Sequence, residues 1–297
     1  MMAQDRRFRV ASRCELLPYL IGLPIGLSRK EAKDLIRFRA VTVLGKNTIR
    51  HDTSLEPGDV VTIAARKQAH SPALEHHDLR IIHFDDAVIV VDKPAGLLSM
   101  GSEREKERTA HRILNEHLRT LTRSPRQQVF IVHRLDRETS GLMVFARSES
   151  AQAALQQNWK SVTKKYLAVV RGAPSNAHGT LKDNLAESKS LLVRRVDHGG
   201  ELAITHYRVL RTLGDKSLLE LTLETGRKHQ IRVQLAALGH PIIGDRKYGG
   251  APEQRLALHS SELKFPHPVS GASMEFRSAL PSKLKALLEP RRVMRAK

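Results

Sequence analysis

Apolar residues near the start of the chain follow a helical spacing first and a strand-like spacing soon afterwards. Ser12 and Ser28 each have a glutamate three residues later, the spacing of a helix capping box, and each precedes apolar positions at helical spacing. A Gly45-Lys46 turn and the apolar run Val60–Ile63 then indicate short strands. The pattern predicts a compact unit of two helices and a small hairpin within residues 1–66.

The second predicted helix, which follows Ser28, is amphipathic. At about 100° per residue, its apolar side chains fall on one side and its basic side chains on another. A basic stripe of this kind fits a polyanionic partner, although an ordinary solvated helix face has the same composition. The stripe consists of Arg29, Lys30, Lys33 and Arg37.

From residue 79 onward, apolar runs of strand length recur, with helical stretches such as His229–Leu238 between them. Because strands and helices do not alternate steadily, this part predicts an α+β fold with a central mixed or antiparallel sheet. Residues 67–78 are polar, contain one proline and have no clear period, so they predict a linker. The predicted organisation is a unit over residues 1–66, a linker over 67–78, and a domain over 79–297 that ends in a basic tail.

Charge and composition narrow the class of partner. Lys and Arg number 50 against 31 Asp and Glu, a formal net charge of +19, which points to nucleic acid or an anionic membrane surface. The apolar segment Leu16–Leu27 is too short to span a bilayer, and the start of the chain lacks the apolar core of a secretory leader. The single cysteine, Cys14, excludes an internal disulfide and suits a reducing compartment. We therefore expect a cytoplasmic protein with no membrane partner.

Two kinds of site are not expected. The cluster Glu75-His76-His77-Asp78 contains metal-ligand residue types, but no second set at ligand spacing accompanies it, so we expect no metal site. Aromatic residues make up only 4% of the chain, which argues against a single-strand binder built on stacked aromatic side chains.

The densest chemical signal is HRLDRETSGLMVFAR, residues 133–147. It lies between two apolar runs, so its polar middle predicts a loop anchored by a sheet, where a scaffold can present a reactive group. Asp136 in this loop lies between Arg134 and Arg137. Taken alone, an aspartate before a strand is a turn or cap residue.

The letters around Asp136 favour a different interpretation. HRLD followed by TSG resembles the catalytic motif of the RluA-type RNA pseudouridine synthases. Further segments resemble that family in the same order, so that the resemblance covers about residues 79–290. They are VVDKPAGLL (Val90–Leu98), KKYLAVVRG (Lys164–Gly172), LETGRKHQIRVQLAALGHPIIGDRKYG (Leu223–Gly249) and LALHSSELKFPHP (Leu256–Pro268).

The first unit has a resemblance of its own. LSRKEAKDLI, VTVLGK and LEPGDVVTI, within residues 12–65, resemble the RNA-binding domain named for ribosomal small-subunit protein four. This resemblance implies that the basic stripe (Arg29, Lys30, Lys33, Arg37) contacts RNA.

The family resemblance implies a mixed sheet with an RNA-binding cleft and a role for four residues. Asp136 would be the catalytic carboxylate, attacking sugar C1′ or removing a sugar proton; the sequence leaves both routes open. Because burial disfavours an ionised carboxylate, a nearby cation is needed, and the resemblance assigns that pairing to Arg227. Tyr166 would lie against the uracil, and Arg134 would enter the RNA helix in place of the extruded base.

The resulting hypothesis is a monomeric isomerase that needs no cofactor and converts specific uridines of structured RNA to pseudouridine. Large-subunit ribosomal RNA is the expected substrate, with transfer RNA as the alternative. A non-catalytic RNA-binding or ribosome-assembly factor is a second alternative, although a binder has no need of Asp136, Tyr166 and Arg227 together. A hydrolytic glycosidase or nuclease is disfavoured, because the sequence contains neither a paired-carboxylate pattern nor a metal-binding acidic cluster.

Overall fold

The computed structural model divides the chain into two compact units, Met1–Leu74 and Glu75–Lys297. The predicted linker over residues 67–78 lies outside the described residues, so its bounds stay a prediction. Within the described residues, no helix is long and apolar enough to cross a membrane. The structure describes residues 6–37, 40–47, 50–63, 79–101, 105, 108–122, 127–188 and 190–289.

The first unit packs two helices against short antiparallel strands. Its larger sheet has the strand order β1-β6-β3-β4, and β2 pairs with β5. The buried side chains of both helices, including Leu16, Leu20 and Ile36, form one core with Leu55 and Val61. The elements are β1 Arg6–Arg9, β2 Cys14–Glu15, α1 Leu16–Ile21, α2 Arg29–Arg37, β3 Val41–Val43, β4 Lys46–Asn47, β5 Ser54–Leu55 and β6 Val60–Ile63.

The two predicted capping boxes have different outcomes. At α2, Ser28 N–H donates to Glu31 Oε2 over 2.9 Å and Glu31 N–H donates to Ser28 Oγ over 3.2 Å, which confirms the capping box. At α1 the prediction is wrong. The residues after Ser12 pair as strand β2, and Glu15 becomes an N-cap without a side-chain cap.

The basic stripe lies on helix α2, whose apolar side faces the core. Ala32 and Ile36 are buried, and Arg29 and Lys33 are exposed. The side chains of Lys30 and Arg37 lie outside the described part of the chain.

The second unit is built on one large sheet, with the order β13-β12-β14-β15-β11-β16-β10-β8-β7 and with β17 and β9 at its sides. The described pairs are antiparallel except β10 with β16, so the prediction of an α+β fold with a mixed sheet is confirmed. The elements are β7 Arg80–Phe84, β8 Val88–Lys93, α3 Ala110–Thr122, β9 Phe130–Ile131, β10 Ser140–Ala146, α4 Glu149–Gln157, β11 Thr163–Arg171, β12 His178–Glu187, β13 Val193–Val196, β14 Glu201–Leu213, β15 Lys216–Leu223, α5 Gln230–Ala237, β16 Leu258–Pro266, β17 Ser273–Arg277 and α6 Ser282–Lys285.

The middle of this sheet positions the loop that carries Asp136. Strand β10 is buried along its whole length, and its first residues pair with β16 as Ser140 with His259 and Gly141 with Ser260. On the other side of β16, Ser260 pairs with Tyr166 of β11. One strand, β16, therefore separates Tyr166 from the start of β10, and both lie at the same level of the sheet.

Gly141 permits this close approach. Its φ is +113°, and a Cβ added there would lie 2.2 Å from the carbonyl oxygen of Ser260. Any side chain would push β10 away from β16 and strain the backbone. The glycine of the TSG sequence is therefore required by how these two strands meet.

Candidate active site

The loop before β10 is fixed by the loop that follows β8. Ser99 Oγ donates to Leu135 O over 2.7 Å and accepts from Leu135 N–H over 3.0 Å. Gly96 N–H donates to Arg137 O over 2.7 Å, and Arg137 Nε donates back to Gly96 O over 3.1 Å. These bonds hold the residues on both sides of Asp136.

Lys93 also links the loop that follows β8 to the loop that carries Asp136. Its side chain is fully buried, and Nζ donates to the carbonyls of Leu97 (2.8 Å), Pro94 (3.0 Å) and Arg137 (3.4 Å). Burial lowers its pKa to about 7, and the negative charge of Asp136 acts in the opposite direction. The Lys93-Pro94 turn is therefore part of the support for the Asp136 loop.

Asp136 is half-buried and faces the first turn of α5. Its Oδ2 lies 3.3 Å from Arg232 Nη1 and 3.8 Å from His229 Nε2. The same guanidinium donates through Nε and Nη2 to both carboxylate oxygens of the fully buried Asp245, over 2.8 Å each. Although burial disfavours its charge, these hydrogen bonds and the two carboxylates raise the pKa of Arg232. Arg232 is thus fixed by Asp245 and presents its remaining nitrogen to Asp136.

His229, at the N-terminus of α5, has a left-handed backbone with φ of 54°. Its Nδ1 lies 2.7 Å from Tyr248 Oη, which accepts from Val193 N–H over 3.3 Å. The tyrosine hydroxyl proton is therefore available for Nδ1, which places the imidazole proton on Nε2, the nitrogen facing Asp136. Burial lowers the pKa of His229, which favours the neutral ring.

Tyr166 lies near enough to Asp136 for the charge of the carboxylate to act on its hydroxyl. Its side chain is buried, and burial together with the charge of the nearby Asp136 carboxylate raises the pKa of its hydroxyl. A hydrogen bond with Ser260 opposes that shift without cancelling it. The structure thus brings Tyr166 of β11 near the loop that carries Asp136.

The predicted pairing of Asp136 with Arg227 is wrong. Arg227 lies before α5, where Nη1 donates to Glu201 Oε1 over 2.6 Å and Nε donates to Leu202 O over 3.1 Å. Arg232, five residues later, lies within the helix and is the cation at Asp136. One signal for Arg232 was present in the sequence, because a charge between Ile231 and Val233 in an apolar stretch of helix needs a buried partner.

Arg134, two residues before Asp136, is exposed. Among the described residues it has no hydrogen bond or ion pair, and the carboxylate of nearby Glu138 lies 3.6 Å from Arg232. The pKa of Glu187 is lowered mainly by its hydrogen bond with Lys228 and also by the charge of Arg134. Arg134 is thus an exposed guanidinium in the Asp136 loop that a ligand can reach.

Two other histidines of the motifs have structural hydrogen bonds. His133 Nε2 accepts from Val144 N–H over 3.1 Å, and burial lowers its pKa to about 3. His240 Nδ1 lies 2.9 Å from Arg171 O. Among the described residues, no group of three or more His, Cys, Asp and Glu side chains is arranged to hold a metal ion.

Comparison with known proteins places this geometry in a family. The family model described as RNA pseudouridylate synthase matches residues 87–237, which include Asp136, Tyr166 and Arg232. The solved structure of human RNA pseudouridylate synthase domain containing 4 is 25% identical, covers 69% of this chain and 90% of its own, and has a TM-score of 0.60.

Curated relatives extend over most of the chain. A Bacillus subtilis protein, described as the uncharacterized RNA pseudouridine synthase YlyB, is 34% identical over 88% of this chain and 89% of its own length. A Vibrio cholerae protein, described as ribosomal large subunit pseudouridine synthase D, is 34% identical over 86% of this chain and 84% of its own. The family predicted from HRLD and TSG is confirmed: the chain belongs to the RNA pseudouridylate synthase family and is an isomerase that acts on RNA.

Proposed function

We propose that this enzyme isomerises specific uridines of large-subunit ribosomal RNA, with Asp136 as its catalytic carboxylate. The observation that carries the catalytic assignment is that Arg232 lies 3.3 Å from Asp136 and that the Asp136 carboxylate acts on the buried Tyr166 hydroxyl. The choice of RNA is supported by the Vibrio cholerae relative, whose name specifies the large ribosomal subunit.

The reaction is a balanced rearrangement of one nucleotide. The bond from sugar C1′ to uracil N1 breaks, the base turns, and C5 bonds to C1′; C5 loses its proton and N1 gains one. Asp136 either attacks C1′ or removes a sugar proton, and both routes need a carboxylate held in one orientation. Arg232 supplies that orientation, because its bonds with the buried Asp245 fix the guanidinium before substrate arrives.

Tyr166 acts on the base as a neutral phenol. Burial and the neighbouring carboxylate raise its pKa, so the hydroxyl keeps its proton at neutral pH. Its ring offers a flat apolar surface to the uracil, and its hydroxyl is a donor or acceptor near the atoms that exchange protons. Ser260 sets the direction of that hydroxyl.

Arg134 assists extrusion of the target uridine. A base inside a helical stack cannot reach the pocket until it is unstacked, which costs a few kcal/mol. The exposed Arg134 guanidinium can occupy the vacated space by stacking and hydrogen bonding, which offsets part of that cost. The basic stripe of α2 adds phosphate contacts elsewhere on the RNA.

The test is site mapping of pseudouridine on unmodified ribosomal and transfer RNA transcripts, with no added metal or cofactor. Wild type, Asp136→Asn and the matched control Asp197→Asn, an exposed turn residue, are compared by carbodiimide labelling and primer extension. We expect new stops on large-subunit RNA for wild type and Asp197→Asn, and none for Asp136→Asn.

Each other outcome has a definite meaning. Stops on transfer RNA alone would show that the proposed substrate is wrong and that the proposed reaction is right. Equal stops with wild type and Asp136→Asn would reject Asp136 as the catalytic group. Tight binding of every RNA without any stop would favour the non-catalytic binding factor.

A further inference from the structure

A hydrogen-bond chain runs through the sheet beside the Asp136 loop. Arg255 Nη2 donates to Ser140 Oγ over 2.6 Å, and Ser140 Oγ lies 2.9 Å from His259 Nδ1. His259 Nε2 lies 3.1 Å from Ser278 Oγ, which donates to Asp92 Oδ2 over 2.7 Å. The chain therefore joins β10, β16 and β8, with a charged group at each end.

The direction of each hydrogen bond follows from its two ends. Arg255 can only donate, so the hydroxyl proton of Ser140 is available for His259 Nδ1. The imidazole proton then lies on Nε2 and is donated to Ser278, whose own proton goes to Asp92. Burial lowers the pKa of His259, which favours this neutral form. Since each inner member has a partner on both sides, Ser140 Oγ is fixed as the acceptor that holds Arg255.

The two ends of the chain differ in charge balance. Asp92 also accepts from Arg80 over 2.9 Å and so has a counter-charge. Arg255 is half-buried and, among the described residues, forms no ion pair with a carboxylate. Burial lowers its pKa, which reflects the cost of a guanidinium without an anion. At the Arg255 end, therefore, no carboxylate of the described residues balances the positive charge.

An open cavity of about 800 Å³ lies in front of Arg255. Lys93 also lines the cavity, but its ammonium already donates to three carbonyls and has no N–H donor left for a ligand. Exposed Lys283 also lines the cavity and forms no ion pair within the described part of the chain, while Glu138 lies 3.6 Å from Arg232. The cavity is thus cationic at Arg255 and touches the catalytic loop at Glu138, two residues from Asp136.

We propose that Arg255 binds a phosphodiester of the RNA strand next to the target uridine. This inference rests on the proposed function. Arg255 Nη2 donates to Ser140 Oγ and Nε donates to Leu256 O over 3.3 Å, so within the described residues the two N–H groups of Nη1 are left to meet phosphate oxygens. Because Ser140 begins the strand that follows the catalytic loop, a phosphate held here fixes the RNA strand relative to Asp136.

The test measures RNA affinity against salt for the full chain. Wild type, Arg255→Gln, Arg255→Lys and the control Arg171→Gln are titrated onto a large-subunit ribosomal RNA transcript. Arg171 is exposed at the far end of β11, about 17 Å along the strand from Tyr166. Thermal unfolding of each variant confirms that it is folded.

We expect Arg255→Gln to bind about tenfold more weakly at low salt, and its log–log salt slope to fall by about 0.7–0.9, the value for one phosphate contact. Arg255→Lys keeps the slope and loses part of the affinity, because a lysine ammonium keeps the charge but cannot reproduce the planar donor set that bonds Ser140, Leu256 and the phosphate together. In pseudouridine assays Arg255→Gln raises KM more than it lowers kcat. Arg171→Gln changes neither measurement.

A salt slope of Arg255→Gln equal to that of wild type overturns the phosphate site, even if pseudouridine still forms. A loss confined to kcat would assign Arg255 a purely structural role through Ser140, which also overturns it. If no variant forms pseudouridine but Arg255→Gln still lowers the slope, the proposed function fails and the phosphate site stands.

Discussion

Nη1 of Arg232 lies 3.3 Å from Oδ2 of Asp136, while Nε and Nη2 of the same side chain bind the fully buried Asp245. One guanidinium therefore links the reactive loop to helix α5 and to the segment after it. The arrangement gives Arg232 two functions, because it satisfies a buried carboxylate and orients the carboxylate of Asp136.

Replacing Arg232 is expected to lower both the free energy of unfolding and the pseudouridine synthase activity. Arg232→Gln leaves the Asp245 carboxylate buried without a counter-charge, which costs roughly 3–5 kcal/mol of unfolding free energy. Arg227→Gln is the matched control, because its pair with Glu201 is exposed and contributes less than about 1 kcal/mol. Urea unfolding and pseudouridine mapping of both variants check the assignment. Equal losses in the two variants would contradict it.

Lys93 is expected to be required for the geometry of the catalytic loop. Lys93→Met keeps the chain length but leaves the carbonyls of Pro94 and Leu97 without their donor, and each unsatisfied acceptor costs about 1–3 kcal/mol. The carbonyl of Arg137 keeps its bond from Gly96 N–H. We expect lower stability and a kcat reduced about tenfold or more, because loop displacement weakens positioning. Lys264→Met, at a half-exposed lysine, is the control. A wild-type kcat in Lys93→Met would show that the hydrogen bonds of Lys93 do not position Asp136.

Half-buried His133 predicts how stability changes in mild acid. Its pKa is about 3 in the folded protein and about 6.5 in an unfolded chain, so below pH ~6.5 the unfolded state binds a proton that the folded state does not. The stability contribution is complete above pH ~6.5 and is lost as pH falls toward 3, at up to about 1.4 kcal/mol per pH unit.

His133→Gln removes this titration and keeps an acceptor for Val144 N–H. Urea unfolding between about pH 7 and pH 5 should therefore show a flatter pH dependence for His133→Gln than for wild type. The control His198→Gln replaces an exposed histidine and should follow wild type. Parallel curves for all three proteins would rule out His133 as the source.

The exposed part of the basic stripe is expected to contribute phosphate contacts. Neutralising Arg29 and Lys33 together as glutamines should lower the salt slope of RNA binding by up to about 1.8, the value for two phosphates on a duplex. The matched double control is Arg13→Gln with Arg50→Gln, since both arginines are paired with carboxylates in the same unit. A slope reduced equally by both pairs would indicate a general loss of charge and no defined contact.

The sequence by itself determined the elements, the fold class and the family. Periodicity predicted helix α2 and its capping box, because helix starts depend on residues three positions apart. The same local rule failed at Ser12, where strand pairing with residues distant in the chain overrides the capping spacing. The HRLD and TSG letters located Asp136, because an unusual set of residue types in a fixed order carries chemical information that composition does not.

Only the tertiary structure decided which cation meets Asp136. Arg227 and Arg232 lie five residues apart in one motif, and which of them faces the loop depends on where α5 begins and on the position of Asp245. The chain from Arg255 to Asp92 likewise joins strands that are distant in sequence, so spacing along the chain could not reveal it. Pairings of this kind depend on three-dimensional distance and burial, which sheet order and strand register determine.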